Sequence, residues 1–278
     1  MHWQCRHRAI DLESPVVMGI LNVTPDSFSD GGRWLGVDEA VERAAQMTAE
    51  GAAIIDVGGE SSRPGSVGVD AVVERGRVVP VIERIAASLD VAISIDSSKL
   101  EVMTAAVAAG ACIVNDINAL RAPRAREWAA AAEVGVCLMH MRGEPRTMQE
   151  APDYQDVVSE VGAFLSRERD ACLAAGIARE AIALDPGLGF GKGYEHNLAL
   201  LKNLGHLTAL GAPLLIGVSR KSLIGRVLGR PPLGRLYGGL GVAALAASLG
   251  ARIIRTHDVA PTLDAIRMVS TVLQGRTT

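Results

Sequence analysis

The stretch at residues 16–32 reads VVMGILNVTPDSFSDGG. Its first six residues, Val16, Val17, Met18, Gly19, Ile20 and Leu21, are apolar without alternation, the composition of a strand buried on both faces. The strand ends at Asn22. Beyond it come Thr24, Pro25, Asp26, Ser27, Ser29, Asp30, Gly31 and Gly32, with one aromatic, Phe28, that solubility does not require. Pro, Asp, Ser and Gly also make ordinary turns. Strand-to-helix connections usually take roughly two to six residues, however, and the next helical pattern begins only near Asp38. That length points to a loop that touches a ligand.

Outward from this strand, helical patterns and apolar runs alternate to the end of the chain. Residues 38–50 place Ala40, Val41, Ala44, Ala45 and Met47 at helical spacing, with Asp38 as N-cap and Gly51 as stop. A strand follows at 53–57, a helix at 70–88, a strand at 91–95, a helix at 99–109 and a strand at 112–114. The rhythm continues with a short helix at 124–132, a strand at 136–139, a long helix at 153–175, a strand at 181–184 and a helix at 196–204. Last come a strand at 213–217, a segment beginning at Ser222, a small-residue helix at 238–249, a strand at 252–254 and a helix at 260–273.

Eight β/α units are the count of a TIM barrel, although a doubly wound open sheet shares the alternation. The carboxyl ends of the strands decide between them. In order they carry Asn22, Asp56, Asp96, Asn115 with Asp116, His140, Asp185, Ser219 with Arg220 and Lys221, and Arg255 with His257. An open sheet needs such chemistry only near its switch point, whereas a closed barrel gathers all eight ends at one mouth. The expected architecture is a single-domain TIM (β/α)8 barrel over residues 16–278, with residues 1–15 as a short lead-in.

Composition agrees with one large core. Of 278 residues, 49% are hydrophobic, 21% charged and only 3% aromatic, and 30 glycines suit tight turns over an aliphatic interior. A net charge of -3 with few aromatics argues against a nucleic-acid surface. No apolar run reaches the length of about 18 residues that a membrane span needs, and the first fifteen residues have no apolar signal region, so a soluble, cytoplasmic protein is expected. Cys5, Cys112, Cys137 and Cys172 show no metal-ligand spacing and read as reduced and mostly structural.

Asp185 precedes a glycine-rich run, PGLGFG, that lets backbone approach a flat ligand, and its carboxylate can accept paired N–H bonds from an amino-pyrimidinone edge. Asp96 can bind a ligand in the same way or cap the following helix, and Asn115 is open to two readings, ligand contact or turn residue. Ser219, Arg220 and Lys221 after the seventh strand, with Arg255 and His257 after the eighth, occupy the usual phosphate site of this barrel. The amide oxygen of Asn22, across the mouth, suits a hard cation such as magnesium that takes few protein oxygens and shares a bound diphosphate. A second glycine-flanked loop, GGESSRPG at residues 58–65, lies beside the first.

The runs GILNVTPDSFSDGG (19–32), DVGGESSRPG (56–65), SIDSSK (94–99), NDI (115–117), LMHM (138–141), LDPGLGFGK (184–192), SRKSLIG (219–225) and RTHDV (255–259) together resemble the dihydropteroate synthases of folate biosynthesis. The resemblance covers essentially the whole chain. It implies condensation of a dihydropterin diphosphate with p-aminobenzoate, helped by Mg2+ at Asn22, in a homodimer open to sulfonamides. By the same resemblance Asp96, Asn115, Asp185, Lys221, Phe190, Gly217, Met139 and Arg255 hold the pterin. Asn22, Ser62, Arg255 and His257 meet the diphosphate, while Phe28, Arg63, Pro64, Lys221 and Ser222 shape the p-aminobenzoate site. Lys221, Arg255, His257 and Asn22 are the expected catalytic residues. The chain departs from the family pattern in having Ser at positions 62 and 97, often Thr, and Leu100 in place of a frequent Pro. A pterin-binding corrinoid methyltransferase domain would not need SRKS, and a non-catalytic paralogue would lack a phosphate or metal residue; none of Asn22, Lys221, Arg255 and His257 is missing.

Overall fold

The structure, a computed structural model, describes residues 1–24, 36–61, 66, 68–143, 147–148 and 152–275. It opens with an antiparallel hairpin of β1 (His2–Cys5) and β2 (Arg8–Asp11). Then β3 (Val16–Asn22), β4 (Ile54–Gly58), β5 (Ala92–Asp96) and β6 (Ile113–Asp116) alternate with helices α1 (Val37–Ala49), α2 (Ala71–Ser88) and α3 (Leu100–Ala108). After α4 (Ala125–Ala132) follow β7 (Gly135–Met139), α5 (Val157–Ala174), β8 (Ile182–Asp185), α6 (Tyr194–Lys202) and α7 (Leu204–Thr208). The chain closes with β9 (Leu215–Gly217), α8 (Ser222–Leu228), α9 (Leu236–Ser248), β10 (Ile253–Thr256) and α10 (Val259–Gln274).

Strands β3 to β10 form one parallel sheet in the order β8-β7-β6-β5-β4-β3-β10-β9. An isolated parallel bridge between Leu184 and Leu214, with the Leu184 N–H donating to the Pro213 carbonyl at 2.9 Å, brings its two edges together into a nearly closed barrel. The expected elements are present, with shifted ends. The long helix starts at Val157 rather than 153 because Asp156 caps it, its carboxylate accepting from Val158 N–H at 3.0 Å and Ser159 N–H at 3.2 Å. The segment beginning at Ser222 is a short helix, α8.

Two-residue alternation along each strand sorts the side chains. Val17, Leu21, Ile55, Val57, Ile93, Ile95, Val114, Val136, Leu138, Leu184, Ile216 and Ile254 pack into the large core with the helices. The other set, Met18, Ile54, Ala92, Ile113, Cys137, Ala183, Leu215 and Ile253, forms a second buried cluster at the amino end of the barrel. Two residues further along that inner face the chemistry changes, to Asp56, Ser94, Asn115, Met139, Asp185, Gly217 and Arg255, and Asp96 and Asn22 lie beyond. One face of each strand is therefore a plug at the bottom and a site at the top. Among the described residues, no helix is long and apolar enough to cross a membrane.

Residues 1–15, expected only as a lead-in, complete the plug. Trp3, Cys5, Ile10 and Leu12 join the inner cluster, and the Trp3 indole N–H donates to the Ala181 carbonyl at 2.9 Å. Gly135 is required where this hairpin crosses β7, because a Cβ there would stand 2.4 Å from Cys5 Sγ. Replacing the fully buried Trp3 with Ala should cost about 3–5 kcal/mol, the scale for a large aromatic lost from a core. Urea unfolding checks this; a loss below about 1 kcal/mol would show that the hairpin is an ornament on a self-sufficient barrel.

Candidate active site

Arg255 on β10 reaches across the mouth to two carboxylates from other strands. Its Nε donates to Asp56 Oδ2 on β4 at 2.6 Å and its Nη2 to Asp96 Oδ2 on β5 at 2.6 Å. Asn115 on β6 adds a third bond, Nδ2 donating to Asp56 Oδ2 at 3.1 Å. Asp56 is wholly buried, so the guanidinium is held as part of the wall. Burial works against the Arg255 charge, but Asp56 and Asp96 more than offset it and raise the group further. Burial pushes the Asp96 carboxyl up to about 7, with Arg255 opposing and Asp56 adding to the rise.

Asp185 and Lys221 face the same space from β8 and the start of α8. Asp185 Oδ1 accepts from the Gly187 N–H at 2.7 Å, which leaves its other oxygen for a ligand. The Lys221 ammonium donates to the Leu188 carbonyl and lies 4.8 Å from the centre of the Phe190 ring. Burial raises the Asp185 carboxyl, with Lys221 opposing; burial lowers Lys221 to about 8, with Asp185 opposing. Gly217 separates the two cations: a Cβ there would stand 3.8 Å from Arg255 Cβ and 3.9 Å from Lys221 Nζ. Met139 and Phe190 belong to one apolar group with Ile117, Met141 and Met148. Ser222 lines a cleft with Lys221, Leu188, Gly189, Asn197 and Val218.

The ends of β9 and β10 meet through Ser219 and His257, whose Oγ and Nδ1 lie 3.0 Å apart. Arg220 points elsewhere. It adopts a left-handed backbone conformation, φ 60°, and pairs with Asp258 at 2.8 Å, so of the SRKS cations Lys221 faces the mouth and Arg220 does not. Asn22, at the end of β3, is paired in register with Gly58. Its Oδ1 and the Asp96 Oδ2 each lie 3.7 Å from where a Gly58 Cβ would stand, so both oxygens border one small space.

The structure thus brings Asn22, Asp96, Asn115, Met139, Asp185, Phe190, Gly217, Lys221, Arg255 and His257 to the carboxyl end of the barrel. Phe28, Ser62, Arg63 and Pro64 lie outside the described residues. Sequence reading assigned no role to Asp56, the anchor of Arg255, although its inner-face position two residues beyond Ile54 was a usable signal. It also passed over Lys99, which pairs with Glu60 and, at 2.5 Å, with the buried Glu74 beside the second loop. Lys192, fully buried against His140, gave no signal beyond its place in GFGK. Asp116 has the opposite strand parity and is structural, accepting from Asn118 and Leu120 N–H groups at 2.8 Å each.

Comparison with known proteins meets this geometry. The pterin-binding enzyme family model matches residues 18–257. The dihydropteroate synthase of Escherichia coli (strain K12) is 50% identical over 268 residues, covering 96% of this chain and 95% of that protein. The Yersinia pestis dihydropteroate synthase in a sulfonamide drug complex superposes with a TM-score of 0.94 at 47% identity, over 99% of this chain and 100% of that one. The Xanthomonas albilineans enzyme in complex with 7,8-dihydropteroate superposes with a TM-score of 0.90 at 44% identity, over the whole of both chains. Identity at this level along a chain whose inner strand ends gather carboxylates, amides and cations at one mouth leaves one assignment: the chain belongs to the pterin-binding enzymes, within the dihydropteroate synthases.

Proposed function

We propose that this mouth condenses 6-hydroxymethyl-7,8-dihydropterin diphosphate with p-aminobenzoate to give 7,8-dihydropteroate and diphosphate. The observation that carries the reading is the convergence of Asp96, Asn115, Asp185 and Lys221 around Arg255. Asp185, through its oxygen not used by Gly187, and Asp96, through its oxygen not used by Arg255, accept from the N–H edge of the pterin. Asn115 spends its N–H on Asp56 and presents its carbonyl oxygen. Lys221 donates to the ring, Gly217 gives room for it, and Met139, Phe190 and the flat Arg255 guanidinium enclose its faces.

The methylene C–O bond breaks with its electron pair leaving on diphosphate, and the arylamine nitrogen forms the new C–N bond and then sheds a proton. The arylamine is neutral and nucleophilic at pH 7, so no strong base is needed at the site. The task is to stabilise the departing anion, which falls to Arg255 and His257 with Asn22 and Ser62. Magnesium fits the donors present, one amide oxygen of Asn22 beside a diphosphate, and among the described residues no cluster of three acidic, His or Cys side chains offers a cage for it. What it supplies when bound is neutralisation of charge on the leaving group. Phe28, Arg63 and Pro64, with Lys221 and Ser222, receive p-aminobenzoate, and the same cleft is the expected sulfonamide site.

A homodimer in the cytoplasm completes the reading. Val227, Leu228, Leu233, Tyr237 and Leu245 on the α8–α9 segment, with Met268, Val272 and Leu273 on α10, are large apolar side chains left exposed, and α9 packs on α10. Free buried cysteines suit a reducing compartment. Leu233→Glu should shift sedimentation towards monomer; an unchanged dimer would place the interface elsewhere.

The central test is release of diphosphate from the pterin substrate with p-aminobenzoate present or omitted. Release should depend on the arylamine and fall at least about tenfold after chelation of divalent cations. Arylamine-independent hydrolysis would refute the synthase reading, and full rate in chelator would refute the metal role. Protonation sets a second expectation. Asp96 takes up a proton below about 7 and loses an acceptor, while Lys221 sheds one above about 8 and loses its ammonium. Pterin affinity measured by calorimetry should therefore peak between those values, and Asp96→Asn should bind more weakly with a flattened acid limb.

A further inference from the structure

Lys192 ends the glycine-rich run after β8 and is only 2% exposed, and none of the roles assigned above uses it. Its ammonium nitrogen lies 2.8 Å from His140 Nδ1 and donates to three backbone carbonyls: His140 at 3.1 Å, Gly187 at 2.9 Å and Phe190 at 2.9 Å. The first of those carbonyls follows β7 and the other two belong to the loop after β8, so one side chain ties two neighbouring post-strand segments together. Three carbonyl oxygens converging on one buried point repel one another and need donors. Burial lowers Lys192 to about 7, with Asp185 opposing; in its charged form its three N–H groups are shared among four acceptors, these carbonyls and the neutral His140 Nδ1.

The segments tied in this way touch with nothing between them. Gly187 has φ +66°, and a Cβ on it would stand 2.0 Å from the His140 carbonyl oxygen, so no side chain can act as a spacer. The His140 N–H also donates to the Asp185 carbonyl at 3.0 Å. What the loop displays on its other side is the pterin wall: the Gly187 N–H that orients Asp185, the Leu188 carbonyl that holds Lys221, and the Phe190 ring beside that ammonium. Each is within two residues of a carbonyl that Lys192 grips.

We propose that Lys192 is a positioning residue for the pterin, its buried ammonium gathering the carbonyls of His140, Gly187 and Phe190 and so fixing the loop that aims Asp185, Lys221 and Phe190. This rests on the pterin assignment above. Arg255, Asn22 and His257 are held by other elements, so the role is confined to one side of the mouth.

The test titrates Lys192→Met, which keeps an unbranched chain and removes the donors, with 6-hydroxymethylpterin and separately with magnesium diphosphate. Pterin affinity should fall about tenfold or more, the scale of one charge-assisted hydrogen bond, while diphosphate affinity stays within about twofold of wild type. Unchanged pterin affinity, or equal losses for both ligands, would overturn the proposal, the second because it marks a general structural defect. Should the variant not fold, the wild-type protein still decides. Its lysines are Lys99, Lys192, Lys202 and Lys221, so 15N-lysine labelling gives few ammonium signals. That of Lys192 should be protected from exchange and should shift with the pterin but not with magnesium diphosphate; an unprotected or unresponsive signal overturns the proposal. Wild-type protein that binds no pterin at all, yet keeps a protected Lys192, would instead refute the functional assignment.

Discussion

Arg255 joins three strands with one side chain. Removing a guanidinium and two carboxylates from water costs several kcal/mol per ion, and the attraction between them offsets this to the extent that the geometry is close and the remaining polar atoms are used. Here both contacts are 2.6 Å and Asn115 adds a bond to the same Oδ2 of Asp56, while Asp56 Oδ1 is buried without a hydrogen-bond partner among the described residues, so the closeness of the two ionic contacts carries the offset. Because the three groups come from β10, β4 and β5, with β3 lying between β4 and β10, the pairing is satisfied in one strand register. A slip by one residue in any of these strands would turn a charge out to the helices and leave its partner buried alone, a loss of about 3–5 kcal/mol.

That constraint explains why the lower half of the barrel is so uniform. Register can be exact at the mouth only if the strands are clamped below it, and the clamp is the apolar cluster of Met18, Ile54, Ala92, Ile113, Cys137, Ala183, Leu215 and Ile253 with Trp3 of the hairpin. The plug and the site are successive layers of one face. Stability is made at the amino ends and spent on buried charge at the carboxyl ends.

The same logic decides what could be read from the sequence. Continuous apolar runs ending in polar residues revealed the eight strands and the mouth, because burial on both faces leaves a local composition signature at each strand. The places of Asp185, Asn115 and Asp96 at the strand ends were legible for that reason. Lys192 was not, since what buries it is the approach of two loops 52 residues apart in the chain, from His140 to Lys192. Trp3 was missed because four-residue strands are too short to display a period, although Trp3 and Cys5 do alternate with exposed neighbours. Arg220 was grouped with Lys221 because adjacent basic residues look alike in sequence; its left-handed backbone and the pairing with Asp258 separate them.

On the function proposed above, charge divides the mouth between the two parts of the pterin substrate. At the inner layer Asp56, Asp96 and Asp185 face Arg255 and Lys221, with Lys192 also acting on Asp185, so that layer offers acceptors to a donor-rich ring. By the same proposal a diphosphate would be directed outward, to the rim where Asn22 is neutral and where Ser219 and His257 hold each other. Arg255 alone belongs to both zones, its charge pinned by two carboxylates. A guanidinium held so firmly would not follow a leaving group; on the proposed function it presents a fixed positive edge towards which the C–O bond would break. In that proposed reaction the ring would thereby be bound deep, with the scissile bond at the boundary and the anion formed at the rim.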